Sequence, residues 1–190
     1  MTQNLIGRWK GGWALDLRTV SSKINPDGSY DNVRSKIGEA LYLLKYRNDN
    51  SQIDFLVNEL VEFLKTRMVL KYIDVIIPVP ASFQRNSQPV YVICDKVGKQ
   101  LNINTDFNFV NKIKETQQLK SIKDIEERKI AISNAFEITD PNKYRNKKIL
   151  IIDDLYRSGT TLIELTNLLY DHAHVQNVYV VTLTKTRSNR

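Results

Sequence analysis

Two adjacent carboxylates, Asp153 and Asp154, stand at the end of the apolar run Lys148-Ile149-Leu150-Ile151-Ile152. A hydroxyl-rich segment follows almost at once, Tyr156-Arg157-Ser158-Gly159-Thr160-Thr161, and leads into a second apolar stretch. Carboxylates at that place accept hydrogen bonds from hydroxyl groups. Ser158, Thr160 and Thr161 supply hydroxyl donors, and Gly159 lets the backbone approach a ligand closely. The free N–H groups of a first helical turn attract an anion. A carboxylate pair beside an anion cradle suits a sugar phosphate, with the acids on the ribose hydroxyls and the loop on the 5-phosphate. Neither Gly-x-x-x-x-Gly-Lys nor Gly-x-Gly-x-x-Gly occurs, so this is not a P-loop or a dinucleotide fingerprint. Two acids after a strand can also cap the next helix, with Ser and Thr as ordinary N-caps. The whole order of strand, acids, hydroxyl loop and helix is what favours binding over capping.

Such a loop needs a strand before it and a helix after it. The run Lys148 to Ile152 is the strongest strand signal, and Thr160 to Tyr170 has helical spacing. Val175 to Thr184 is an apolar strand rich in Val and Thr, and Asp74-Val75-Ile76-Ile77-Pro78-Val79-Pro80 is a buried strand ended by prolines. Val90 to Leu101 predicts a helix, Phe107 to Val110 a short strand, and Ile125 to Asn134 a further helix beyond the polar Lys112 to Lys123 stretch. Continuous apolar strands separated by helices predict a mainly parallel sheet covered on both faces. Ligands bind such sheets at the carboxyl ends of the strands, where the two acids stand.

The first part of the chain is less regular. Trp9, Trp13, Leu15 and Leu17 alternate around Gly11-Gly12, which predicts a strand or hairpin before the turn Asn25-Pro26-Asp27-Gly28-Ser29. A helix is expected over Asp31 to Tyr46, carried by Ile37, Leu41 and Leu44 and stopped by Asn48-Asp49-Asn50. Ile53, Leu56, Leu60 and Phe63 mark a second amphipathic helix. Residues 1–70 are expected to form an N-terminal hood over the site and residues 71–190 the core, within one compact domain.

Composition narrows the class. Of 190 residues, 42% are apolar and 26% charged, which excludes a disordered chain. No stretch reaches the ~18 apolar residues of a membrane span, and Met1 to Leu15 has no apolar signal core. A soluble cytoplasmic protein is expected. The single cysteine, Cys94, leaves no internal disulfide and no cysteine-built zinc site. A net charge of +7 suits an anionic partner or simply solubility.

Residues 149 to 162 resemble the phosphoribosyl diphosphate (PRPP) motif of type I phosphoribosyltransferases. More narrowly the chain resembles the ComF branch, which is amidophosphoribosyltransferase-like or competence-related. Leu43-Leu44-Lys45-Tyr46 resembles that branch's N-terminal Leu-Lys-Tyr segment. Asp74 to Pro80 with Arg85 resembles its diphosphate-loop strand, and Lys112 to Gln118, Glu127-Arg128 and Asn134-Ala135-Phe136 its flexible loop and following helix. The N-terminal cysteine cluster that binds zinc in many ComF relatives is missing, and Arg85-Asn86-Ser87-Gln88 replaces their Arg-Gly-Phe-Asn-Gln. Arg157 stands where the family commonly has Thr.

The resemblance implies a type I phosphoribosyltransferase fold and a cytoplasmic enzyme of nucleotide metabolism. Ribose 5-phosphate would pass from PRPP to an unidentified nitrogen nucleophile, with diphosphate released and Mg²⁺ required. Asp153 and Asp154 would hold the ribose and, through its hydroxyls, the Mg²⁺. Tyr156, Arg157, Ser158, Gly159, Thr160 and Thr161 would hold the 5-phosphate. Lys112 and Lys114 would stabilise the leaving diphosphate, with Val79, Pro80, Ala81, Ser82 and Arg85 on its other side. The alternative is a non-catalytic PRPP- or nucleotide-sensing protein, or one tied to competence and DNA uptake. Nucleic-acid binding through the basic charge is disfavoured, because no RNP, helix-turn-helix or zinc-finger signature occurs. No membrane partner is expected, and the oligomeric state stays open.

Other candidates read as structural. Lys45 near a helix end favours the helix dipole, with a phosphate role the lesser alternative. His172 and His174 lack acids or cysteines at ligand spacing. Trp9, Trp13 and Cys94 read as core residues.

Overall fold

A computed structural model describes residues 2–81, 88–113 and 135–187. In chain order its elements are β1 (Gln3–Asn4), β2 (Gly11–Leu17), β3 (Thr19–Ile24), β4 (Tyr30–Arg34), α1 (Lys36–Arg47), α2 (Gln52–Lys65), a 3-10 turn (Met68–Tyr72) and β5 (Val75–Pro78). Then come α3 (Pro89–Leu101), β6 (Val110–Lys112), β7 (Phe136–Ile138), β8 (Lys148–Tyr156), α4 (Thr160–Asp171) and β9 (Asn177–Lys185). The central sheet has the order β1-β2-β9-β8-β5. Its neighbours are parallel except β1, which runs antiparallel to β2. Two small antiparallel pairs, β3-β4 and β6-β7, stand beside it.

The apolar runs explain the sheet's central place. Side chains alternate between faces along a strand, and both faces are covered. Ile149 and Ile151 of β8 pack into one core with Leu162, Leu165 and Leu169 of α4 and with Phe109, Val110 and Phe136. Leu150 and Ile152 pack into the other, against Leu41, Leu44, Leu56, Leu60, Ile93 and Val97 of α1, α2 and α3. Among the described residues no helix is long and apolar enough to cross a membrane.

β2 is the expected Gly11 strand, and it enters the central sheet beside β9, with Trp13 opposite Val181. Residues 1–70 therefore supply two strands to the sheet that residues 71–190 build. Trp13 stacks parallel to Tyr179 with ring centres 6.5 Å apart and meets Phe63 edge-on at 6.0 Å. Trp9 is buried and donates Nε1–H to the Leu5 carbonyl at 2.9 Å. Both indoles are core.

Two boundaries differ from expectation. Asp31 to Arg34 form β4, not the first turns of a helix, and pair with β3 across the Asn25–Ser29 turn. Ser35 sets the helix start: its Oγ accepts from the Gly38 N–H at 3.0 Å and donates to the Leu17 carbonyl at 2.5 Å. The strand expected at Phe107 begins only at Val110, because the Asp106 carboxylate takes the N–H groups of Asn108 and Phe109 and turns the chain there. The expected helix over Ile125–Asn134 lies outside the described residues.

Candidate functional site

The site forms at the carboxyl end of β8. Because β8 alternates, Asp153 continues the Ile149/Ile151 side, under α4 and β6, while Asp154 continues the Leu150/Ile152 side, under α1. The two acids nevertheless stay within reach of each other's charge, and Lys45 acts on both. On the α1 side, Lys45 in the last helical turn reaches Asp154 Oδ2 at 2.5 Å, with side chains only 21% and 14% exposed. On the other side stands Lys112, at the end of β6, its Nζ 5.7 Å from the centre of the Phe136 ring. Burial lowers the Lys112 pKa, and the charge of Asp153 opposes that shift.

Asp153 is the most perturbed acid of the group. Its carboxyl is pushed up to about 7, first by burial and then by the negative charge of Asp154. The Asp154 N–H, 2.8 Å from Asp153 Oδ1, acts in the opposite direction, as do Lys45 and Lys112. Two carboxylates side by side resist full ionisation unless each finds a counter-charge.

β9 supports the loop from below. Thr184 Oγ1 donates to the Asp154 carbonyl at 3.0 Å, and the Thr186 N–H donates to the Tyr156 carbonyl at 2.9 Å. Thr186 Oγ1 reaches the Arg157 carbonyl at 3.4 Å. Arg157 and Ser158 are exposed at the tip, and the Ser158 and Thr160 hydroxyls are 2.9 Å apart. Gly159 caps α4 at φ 77°, in the left-handed region. A Cβ there would sit 2.5 Å from the Tyr156 hydroxyl and 2.7 Å from its ring. Only glycine fits this turn without strain. The helix's own bonds begin with the Ile163 N–H donating to the Gly159 carbonyl at 2.9 Å. The amides of Thr160, Thr161 and Leu162 precede that bond and have no helical acceptor. They form a ready anion site at the positive end of the helix.

Among the sequence-selected residues, the structure brings together Asp153, Asp154, Lys112 and the loop from Tyr156 to Thr161. Val79 also joins them, since its N–H donates to the Ile152 carbonyl at 3.0 Å and places Val79-Pro80-Ala81 beside the end of β8. Ser82, Arg85 and Lys114 lie outside the described residues. His172 and His174 lie at the far end of α4 from the loop. Cys94 is fully buried, and burial pushes its thiol well above the usual value. Sequence reasoning undervalued Lys45, which it placed on a helix dipole. Only the Leu43 to Tyr46 resemblance signalled more. It also took Thr184 for a strand former only, where the hydroxyl holds the acid pair's backbone.

Residues 90–190 match the phosphoribosyl transferase domain family. Solved structures that the chain matches include a purine phosphoribosyltransferase from Pyrococcus horikoshii, 17% identical, with 73% of this chain and 78% of that one covered and a TM-score of 0.45. An adenine phosphoribosyltransferase from Thermoanaerobacter pseudethanolicus is 12% identical, with 88% and 95% covered and a TM-score of 0.47. A hypothetical protein from Neisseria gonorrhoeae with bound ppGpp is 14% identical, with 74% and 71% covered and a TM-score of 0.47. No curated protein matches the chain.

Proposed function

Because the chain belongs to the phosphoribosyl transferase domain family and has the type I phosphoribosyltransferase fold, we propose that Asp153, Asp154 and the Tyr156–Thr161 loop form its PRPP site. The enzyme class follows from the family, and the residue assignments and the ComF-like branch are the proposal. One observation carries it: two acids stand near the carboxyl end of β8, which closes at Tyr156, and a short loop then opens α4 on a left-handed glycine. The 5-phosphate binds the amides of Thr160 to Leu162 and the hydroxyls of Ser158, Thr160 and Thr161. The ribose 2- and 3-hydroxyls donate to the Asp153 and Asp154 carboxylates. The bond from ribose C1 to diphosphate breaks as a bond to a nitrogen nucleophile forms, and positive charge develops on the sugar. Carboxylates fixed beside the ring favour that charge before the reaction begins.

In this reading Lys112 offsets charge on the departing diphosphate, and the same role is proposed for Lys114, the Val79-Pro80-Ala81-Ser82 segment and Arg85. Lys45 already holds Asp154, so the pair does not offer two free carboxylates to one cation, and Mg²⁺ would be held through the substrate's oxygens, which the acids hold. When bound there it neutralises charge on the diphosphate. Of residues 1–70, β1, β2, α1 and α2 belong to the sheet and its covering layer, so the β3-β4 hairpin, which stands outside the central sheet, is the part we assign as the hood that supplies contacts to the acceptor. A cytoplasmic setting suits a chain with one buried, unpaired thiol.

The test is a screen of nucleobases and ammonia with PRPP and Mg²⁺, measuring diphosphate release. Release that depends on one acceptor, and that is lost in Asp153→Asn with Asp154→Asn, supports the proposal. Absence of release with every acceptor, in a protein that nevertheless binds PRPP, leaves a PRPP-sensing protein as the better account.

A further inference from the structure

We infer that Lys45 is a positioning residue for the PRPP site, an assignment that rests on the proposed function: it fixes Asp154 on the α1 side and makes the acid pair compatible with an anionic substrate. The contact spans 109 positions of sequence and joins α1 to the carboxyl end of the central sheet. A lysine in a last helical turn needs no partner to favour the helix dipole. Here Nζ is committed to one carboxylate oxygen at 2.5 Å, in a place where both side chains are largely out of solvent.

The turn that carries Lys45 is braced. Leu41 and Leu44 anchor α1 in the core at 5% and 4% exposure. Tyr42 and Tyr46 pack together with ring centres 5.3 Å apart. Arg34 lies 3.7 Å over the Tyr42 ring and pairs with Glu39 at 2.9 Å, tying the end of β4 to the same helix. The ammonium is therefore delivered by a rigid element.

Charge explains why an ammonium is needed there. PRPP carries several negative charges, and an unneutralised pair of adjacent carboxylates would repel it. Lys45 offsets Asp154 without touching the phosphate loop, which stands at the other end of the acid segment. Removing the lysine leaves Asp154 as a half-buried charge without its partner, and such a charge turns away or takes a proton. Either change upsets the charge balance that the diphosphate end of PRPP needs and that ribose 5-phosphate, which lacks the diphosphate, does not. It leaves the anion site at the start of α4 intact.

The test measures PRPP with Mg²⁺, and ribose 5-phosphate alone, by calorimetry on the full chain as wild type, Lys45→Arg, Lys45→Met, Asp154→Asn and the Lys45→Met/Asp154→Asn double variant. Lys45→Met should weaken PRPP binding about tenfold and change ribose 5-phosphate binding less than twofold. Lys45→Arg should recover most of the loss. On the Asp154→Asn background Lys45→Met should change PRPP affinity less than twofold, because its target is gone. Equal loss of both ligands in Lys45→Met would mean a merely structural lysine. An undiminished tenfold loss on the Asp154→Asn background would mean direct contact with substrate. Either result, or unchanged PRPP binding in Lys45→Met, overturns the inference alone. A wild-type chain that binds no PRPP overturns the proposed function, and this role with it.

Discussion

Two inward-facing aspartates in this molecule are treated in opposite ways. Asp106, 8% exposed, sits in the turn before β6 and is fully served. It accepts from the Asn108 and Phe109 N–H groups at 3.0 and 3.1 Å, from Lys143 Nζ at 2.7 Å and from the Tyr144 hydroxyl at 2.9 Å. Burial pulls its pKa upward, but those donors outweigh it and hold the carboxyl below its usual value. Asp153, at the end of β8, has a second carboxylate for a neighbour and is pushed up to about 7. The first acid is finished by the fold, and it ties residues 106–109 to the turn at residues 140–144. The second is left short of donors until a ligand supplies them. A perturbed carboxylate near the carboxyl end of a central strand, set against one that the fold satisfies, separates function from architecture.

The comparison breaks most visibly at Asp106. Asp106→Ala strands the amides of Asn108 and Phe109, the Tyr144 hydroxyl and the Lys143 ammonium together. We expect a loss of about 3 kcal/mol. At roughly 2–4 °C per kcal/mol for a chain of this size, the melting temperature should fall about 10 °C. Thermal melts check it, and an unchanged melting temperature would make the two acids equivalent.

Asp153 should respond with the opposite sign. Its folded value of about 7 stands above the ordinary 3.8, so the folded state binds more protons between those values. Stability from this group is present below about pH 4 and is lost as pH rises through 7. Asp153→Asn does not titrate there. It should be more stable than wild type at pH 8 by on the order of 2 kcal/mol, with the difference vanishing below about pH 4, while PRPP binding is lost. Melts across pH 4 to 8 measure this (urea titrations serve equally), and a destabilised variant at pH 8 would contradict it.

The smallest effect concerns Cys94, which is 0% exposed in the core beside the acids' layer. With its thiol deep and its pKa raised, alkylation should proceed no faster than unfolding at pH 7.5, and addition of urea should release it. Prompt labelling of the native chain would mean that the α1–α3 layer opens to reagent.

Much of this was legible in the sequence, and the parts that were not share a cause. β5, β8 and β9 announce themselves as continuous apolar runs, because strands buried on both faces need no alternation. The acid pair and its hydroxyl loop were legible because their chemistry is contiguous. The position of β2 beside β9 was not, since strand order is settled by long-range packing. The pairing of Lys45 with Asp154 escaped for the same reason, being a meeting of two distant segments. Asp31 to Arg34 misled because Val33 stands four residues before Ile37 and continues the helical spacing backward. Val33 is nevertheless exposed, and the turn at residues 25–29 gave the segment a partner strand. Asp106 gave no local sign of its importance: its donors Lys143 and Tyr144 come from a distant turn.

The most direct test asks whether the acids and the loop do separate things. Ribose 5-phosphate, and PRPP with Mg²⁺, are titrated by calorimetry into wild type, the Asp153→Asn/Asp154→Asn double variant and Gly159→Val. The double variant should lose PRPP binding by at least about tenfold and keep ribose 5-phosphate, since an amide preserves size but not charge. Gly159→Val should lose both, because a branched side chain at φ 77° collides with Tyr156 and closes the anion site. Equal loss of ribose 5-phosphate in both variants would mean that the acids only hold the loop in shape, and would contradict the account.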